Sequence, residues 1–163
     1  MHAAIGDLST GKLLHKKNAK RTVPIASVTK LMTAMVVLDG GQPLNESIPI
    51  LGWQKKTDKN AYSRIRVDSN SRRDQLLKIA LMSSENLASH TLARHYPGGF
   101  DAFVAAMNDK ARVLGMKNSR FDDPTGLSLG NVASAEDLWK MLAAAHEYDQ
   151  IRAYSTTYQH QAS

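Results

Sequence analysis

Ser27-Val28-Thr29-Lys30 sets a hydroxyl and an amine three residues apart. On a helix that spacing puts both groups on one face, a single turn apart. A neutral lysine there can take the serine proton, which makes the hydroxyl a nucleophile. A buried, apolar setting assists, because desolvation favours the neutral amine. At the start of a helix the dipole also favours developing negative charge. The pattern by itself is cheap, and it recurs as Ser9-Thr10-Gly11-Lys12, on an expected turn where both side chains are solvated. Spacing alone equally allows Ser27 to be a plain helix cap, with Lys30 reaching out to water. A second polar element, Ser84-Glu85-Asn86, is the only Ser-x-Asn in the chain. It falls at an expected break between two helices, a corner that can point two side chains into a cleft or simply cap the second helix.

The elements that must position these residues follow from periodicity. Ala3 to His15 reads as a hairpin, with two short apolar runs around Ser9-Thr10-Gly11. Lys16 to Arg21 is a basic connector. From Ser27 to Asp39, the apolar residues Val28, Leu31, Met32, Met35 and Leu38 recur at three- and four-residue steps, which predicts a helix. It is apolar over more than half its circumference, so it is expected to be buried, and Gly40-Gly41 should stop it. Pro43 to Asn70 is polar and basic; it reads as loops with short strands, Ser63 to Val67 alternating like one. Ser71-Arg72-Arg73-Asp74 opens a helix through Leu81. The Ser83-Ser84-Glu85-Asn86 break starts another, through His90 and Leu92. Pro97-Gly98-Gly99 separates it from a third, Phe100 to Leu114, which Gly115 ends. Asp122 to Gly126 is a turn, and Ser134-Ala135-Glu136-Asp137 opens a last helix. Ser155 to Ser163 reads as a polar tail.

Composition narrows the classes. The 163 residues are enough for one ordinary domain with a real core. The apolar fraction of 42% and charged fraction of 22% are those of a globular chain. No apolar run approaches the roughly 18 residues of a membrane span. No signal peptide is read at Met1-His2-Ala3, so an exported protein would be present here in trimmed form. With no cysteine, disulfide scaffolds, thiolate metal sites and cysteine nucleophiles are excluded. His90 and His95 are five apart and do not share a helical face, so no metal site is expected. The net charge of +6 suits an acidic polymer, anionic lipid or nucleic acid. Lys55, Lys56, Lys59, Arg64, Arg66, Arg72 and Arg73, near Trp53 and Tyr62, could contact single strands, but a solvated face is the simpler reading. Met32, Met35, Met82, Met107 and Met141 fall on apolar helix faces and are expected in the core.

Taken together, several segments are similar to one family. Pro24 to Ala34 resembles the active-site helix of low-molecular-mass penicillin-binding proteins, and Leu81 to Asn86 resembles their second motif. Leu114 to Phe121 and Asp123 to Leu127 match that family's connecting segments. The Ser-Glu-Asn form, with Tyr96 to Phe100, is most similar to the D-alanyl-D-alanine endopeptidase branch. The resemblance runs from the first strand to about Ala153. One departure stands out: the family's third motif, Lys-Thr-Gly, is absent.

The resemblance implies an α+β fold of the β-lactamase and penicillin-binding-protein type, an antiparallel sheet plus a helical lobe, with the carboxy-terminal strands missing. It divides the chain into a hairpin and connector at 1–22, an active-site helix and helical lobe at 23–154, and a tail at 155–163, together part of a DD-peptidase catalytic domain. It implies that Ser27 attacks a peptide carbonyl after D-Ala, that Lys30 is the base, that Ser84 relays a proton to the leaving amine, and that Asn86 holds the substrate amide and Lys30. The implied partners are peptidoglycan stem peptides and β-lactams, with no cofactor, no metal and no nucleic acid, in a periplasmic or other extracytoplasmic location. A wall-binding module of the same fold without catalysis, and a basic nucleic-acid-binding domain, are the alternatives.

Overall fold

The computed structural model describes residues 5–7, 12–15, 22–25, 28–50, 69–83 and 86–154. Three short antiparallel strand pairs, five helices of nine or more residues and a short helical segment at 149–154 make up the described chain. Strands β1 (Ile5–Asp7) and β2 (Lys12–His15) pair antiparallel, as the hairpin reading expects. Its turn, the basic connector, the alternating Ser63 to Val67 run and the polar tail lie outside the described residues.

Helix α1 (Thr29–Asp39) is the central element. Thr29, Lys30, Met32, Thr33, Ala34, Met35, Val36 and Val37 are all buried, so no broad face is left for water. It contacts α2 (Arg73–Ser83), α3 (Asn86–Arg94), α4 (Phe100–Val113) and α5 (Ala135–His146). Met32, Met35, Leu76, Leu77, Phe103, Met107 and Met141 pack in the shared core. Met82, expected there too, is only half-buried near the end of α2.

Helix ends follow local chemistry. Gly99 has φ +87, which a side chain would strain, and the chain turns there into α4. At α5, Ser134 Oγ accepts from the Asp137 N–H at 3.1 Å, with Glu136 and Asp137 in the first turn. Asp137 is itself buried. Its Oδ2 accepts from the Asn118 N–H and the Ser119 hydroxyl, both at 2.7 Å, which fastens the 117–119 loop to the helix start.

Two further strand pairings were not foreseen, although Ser47–Pro49 falls in the Pro43 to Asn70 stretch read as loops with short strands. β3 (Thr22–Pro24) pairs with β6 (Val132–Ser134), and β4 (Ser47–Pro49) pairs with β5 (Asn70–Arg72). Ser71 and Arg72, read as a helix start, are therefore strand, and the helix begins at Arg73. Arg73 also departs from the solvated-face reading. It is 2% exposed, donating to Pro43 O at 2.6 Å and to Glu46 Oε1 at 2.8 Å. Satisfying the guanidinium inside the 43–46 loop makes burial tolerable. The β3–β6 pair matters most for the site. β3 leads toward α1 from the Pro24–Val132 end of the ladder and β6 runs directly into α5 from the opposite, Thr22–Ser134 end, so the pairing ties the chain entering α1 to the chain entering α5.

Candidate active site

Of the four residues that the sequence nominates, the described structure contains Lys30 and Asn86. Ser27 and Ser84 lie outside the described residues. Lys30 sits in the first turn of α1 and is 3% exposed. Asn86 is the first residue of α3. Lys30 Nζ donates to Asn86 Oδ1 at 2.8 Å, between residues 56 apart in the chain. The two motifs thus meet in space: the α2–α3 corner is brought against the first turn of α1. Lys12, from the competing Ser-x-x-Lys, lies in strand β2 rather than on a helix.

The loop between α4 and β6 closes on the same helix. Asp123 organises its own turn. Its Oδ1 accepts from the Gly126 N–H at 3.1 Å, and its Oδ2 accepts from the Thr125 N–H at 3.2 Å and from the Thr125 hydroxyl. Gly126 has φ +90, the left-handed conformation that the turn requires. Two threonines of α1, one turn apart, meet this loop. Thr33 Oγ1 donates to Pro124 O at 2.7 Å, and Thr29 Oγ1 accepts from Asn131 Nδ2 at 3.1 Å. These contacts were not read from the sequence. Threonines four apart on an otherwise apolar helix were a usable signal, since a buried hydroxyl needs a partner. Asn131, after Gly130, carried none, because asparagine is an ordinary loop residue there.

His90 lies one turn beyond Asn86 on α3, with its ring 5.4 Å from that of Phe100. Burial, then the nearby Arg94, lower its pKa to about 4, against a smaller opposing pull from Asp123. The imidazole is therefore neutral near pH 7. The arrangement is a buried amine held by an amide at the start of a helix, which suits proton transfer with a neighbouring hydroxyl.

The chain is similar to known proteins over most of its length. The D-alanyl-D-alanine endopeptidase of Pseudomonas aeruginosa is 54% identical over 156 residues, covering 95% of this chain and 50% of the relative. The crystal structure of the Streptomyces K15 DD-transpeptidase matches with a TM-score of 0.82 at 27% identity, covering 94% of this chain and 64% of that one. Penicillin-binding protein D2 from Listeria monocytogenes, solved in its cefotaxime-bound form, matches with a TM-score of 0.72 at 27% identity, covering 87% of this chain and 60% of that one. The chain spans about half the length of the curated relatives it matches. These likenesses bear out the α+β penicillin-binding-protein fold expected from the motifs. The family match itself runs over residues 1–163, and the chain belongs to the D-alanyl-D-alanine carboxypeptidase family, peptidase S11.

Proposed function

We propose that this chain is the serine–lysine part of a D-Ala-D-Ala peptidase that acts on peptidoglycan through an acyl-enzyme. The observation that carries the reading is the 2.8 Å hydrogen bond from buried Lys30 to Asn86, which joins the first two motifs. The high identity to an endopeptidase favours cleavage of a peptide bond after D-Ala over removal of a terminal residue.

Each step assigns one group. Ser27 Oγ attacks the carbonyl carbon, and Lys30, with one N–H held by Asn86, accepts the hydroxyl proton on its lone pair. The backbone N–H of Ser27 donates to the oxyanion. As the tetrahedral intermediate collapses, the C–N bond breaks and Ser84 relays the proton held by Lys30 to the leaving amine, giving up its own hydroxyl proton and taking the one from Lys30. Asn86 holds the substrate amide as well as Lys30. Water then hydrolyses the ester, and Ser27 regains its proton. β-Lactams acylate the same serine, with ring opening in place of departure. Peptidoglycan as substrate places the protein outside the cytoplasm; no helix among the described residues is long and apolar enough to cross a membrane.

The test is intact mass after exposure to a penicillin, followed by digestion to locate the adduct. A single adduct on the peptide containing Ser27, lost in Ser27→Ala, is the expected result; a label that survives Ser27→Ala overturns the assignment. A second reading is a wall-binding module of the same fold that does not catalyse. On that reading no adduct forms in the complete gene product.

A further inference from the structure

We infer that Asn131 is a positioning residue for Ser27, gripping the chain on both of its sides through Ile25 and Thr29. The inference rests on the reading of Ser27 as the nucleophile. The backbone N–H of Ile25 donates to Asn131 O at 3.1 Å, and Asn131 Nδ2 donates to Thr29 Oγ1 at 3.1 Å across 102 residues of sequence. Ser27 lies midway between Ile25 and Thr29. One residue therefore anchors the segment that leaves β3 and the first residue of α1, with the nucleophile between the two anchors.

The grip is stiff because the asparagine is saturated. Asn131 and Thr29 are both 0% exposed. Asn131 Oδ1 accepts from the Asp122 and Asp123 N–H groups at 2.6 and 3.0 Å. Its amide nitrogen also donates to Asp123 O at 2.8 Å. Two acceptor sites and two donor hydrogens are thus all engaged, so turning the amide over would set N–H against N–H. Only one orientation satisfies the loop, and that orientation aims a donor at Thr29. Thr33 provides an internal control. Its hydroxyl ties the same loop to the same helix one turn further on, at Pro124 O, but it does not flank Ser27.

Acyl transfer needs the hydroxyl within attack distance of the carbonyl and in reach of its base, and a misplacement of about 1 Å costs on the order of 10²-fold. Asn131 sets that placement without touching the substrate.

The experiment uses the complete gene product that carries these residues, with the variants Thr29→Val, Thr29→Ser and Thr33→Val. Three quantities are measured: the acylation rate at saturating β-lactam, the dissociation constant of the complex before acylation, and the melting temperature. Thr29→Val is expected to slow acylation about 10- to 100-fold, with the initial affinity unchanged. Thr29→Ser, which keeps the acceptor oxygen, should recover most of the rate. Thr33→Val should melt lower yet acylate at the wild-type rate. If Thr29→Val does not fold, Thr29→Ala carries the same comparison. Wild-type acylation by the position-29 variant, or equal slowing by Thr33→Val, overturns the inference while leaving Ser27 as the nucleophile. A wild-type protein that takes no label at Ser27 overturns the proposed function, and this inference with it.

Discussion

The two ends of α1 are held by different chemistry. Its first turns are held by buried groups, Lys30 to Asn86, Thr29 to Asn131 and Thr33 to Pro124 O. Its last turn is held by a cluster nearer solvent. Lys110 Nζ lies 2.8 Å from Asp39 Oδ2 and donates to Tyr148 Oη at 2.8 Å, while the Tyr148 hydroxyl donates to Asp39 Oδ1 at 2.6 Å. The carboxylate of Asp39 is 42% exposed. Burial opposes charge on Lys110, but the bonds to Asp39 and Tyr148 outweigh it and raise the pKa. Burial, then the Asp39 hydrogen bond, raises that of Tyr148. Buried polar groups have no water to fall back on, so each geometry is fixed; exposed charges trade partners with solvent at little cost. The end with no exchange is the end proposed to do chemistry.

The strongest way to break this comparison is to remove the amine. Lys30→Ala is expected to slow acylation by about 10²–10⁴-fold, the usual cost of losing a general base, whereas Lys12→Ala leaves the rate alone. Stopped-flow acylation with circular dichroism separates chemistry from folding. Wild-type rates in both variants sink the serine–lysine mechanism.

Acid probes the buried end next. The pKa of His90 is about 4 in the folded chain against an ordinary 6.5. Between those values the unfolded state binds the proton and the folded state does not, so stability falls as pH drops from about 6.5 to about 4 and levels off below. Melting temperature against pH for wild type and His90→Gln reads it directly. An equal slope for the two proteins across that window means that His90 does not carry the effect.

The smallest effect belongs at the exposed end. Asp39→Asn should cost at most about 1 kcal/mol, shrink further in salt, and leave acylation unchanged. Chemical denaturation at two salt concentrations measures it. A cost several times larger, indifferent to salt, would show that the solvent-facing cluster is as rigid as the buried contacts at the other end.

How much of this was legible in the sequence depends on the range of the interaction. The helices were, because their apolar period and their stops at Gly40-Gly41, Pro97-Gly98-Gly99 and Gly115 are local. The buried character of α1 was too, since it has apolar residues on more than one side. The meeting of Lys30 with Asn86 came from the resemblance of two motifs to a known pair. Periodicity alone places them on separate helices and says nothing of their contact. The β3–β6 pair escaped, because three-residue strands have too little alternation to register and their partners are remote in the chain. Arg73 was misread for a related reason. A guanidinium next to another arginine reads as surface charge until the carbonyl of Pro43 and the carboxylate of Glu46 are folded around it.

The sequence by itself determined where the five longer helices lie, which of them is buried and which residues have chemistry to offer, since those properties depend on neighbours within a turn or two; the short helical segment at 149–154 was not read. Only the tertiary structure decided that Asn131 reaches both Ile25 and Thr29 and that Arg73 is interior. A hydrogen bond depends on angstroms of separation, and residues far apart in a chain acquire that separation only when the core between them packs.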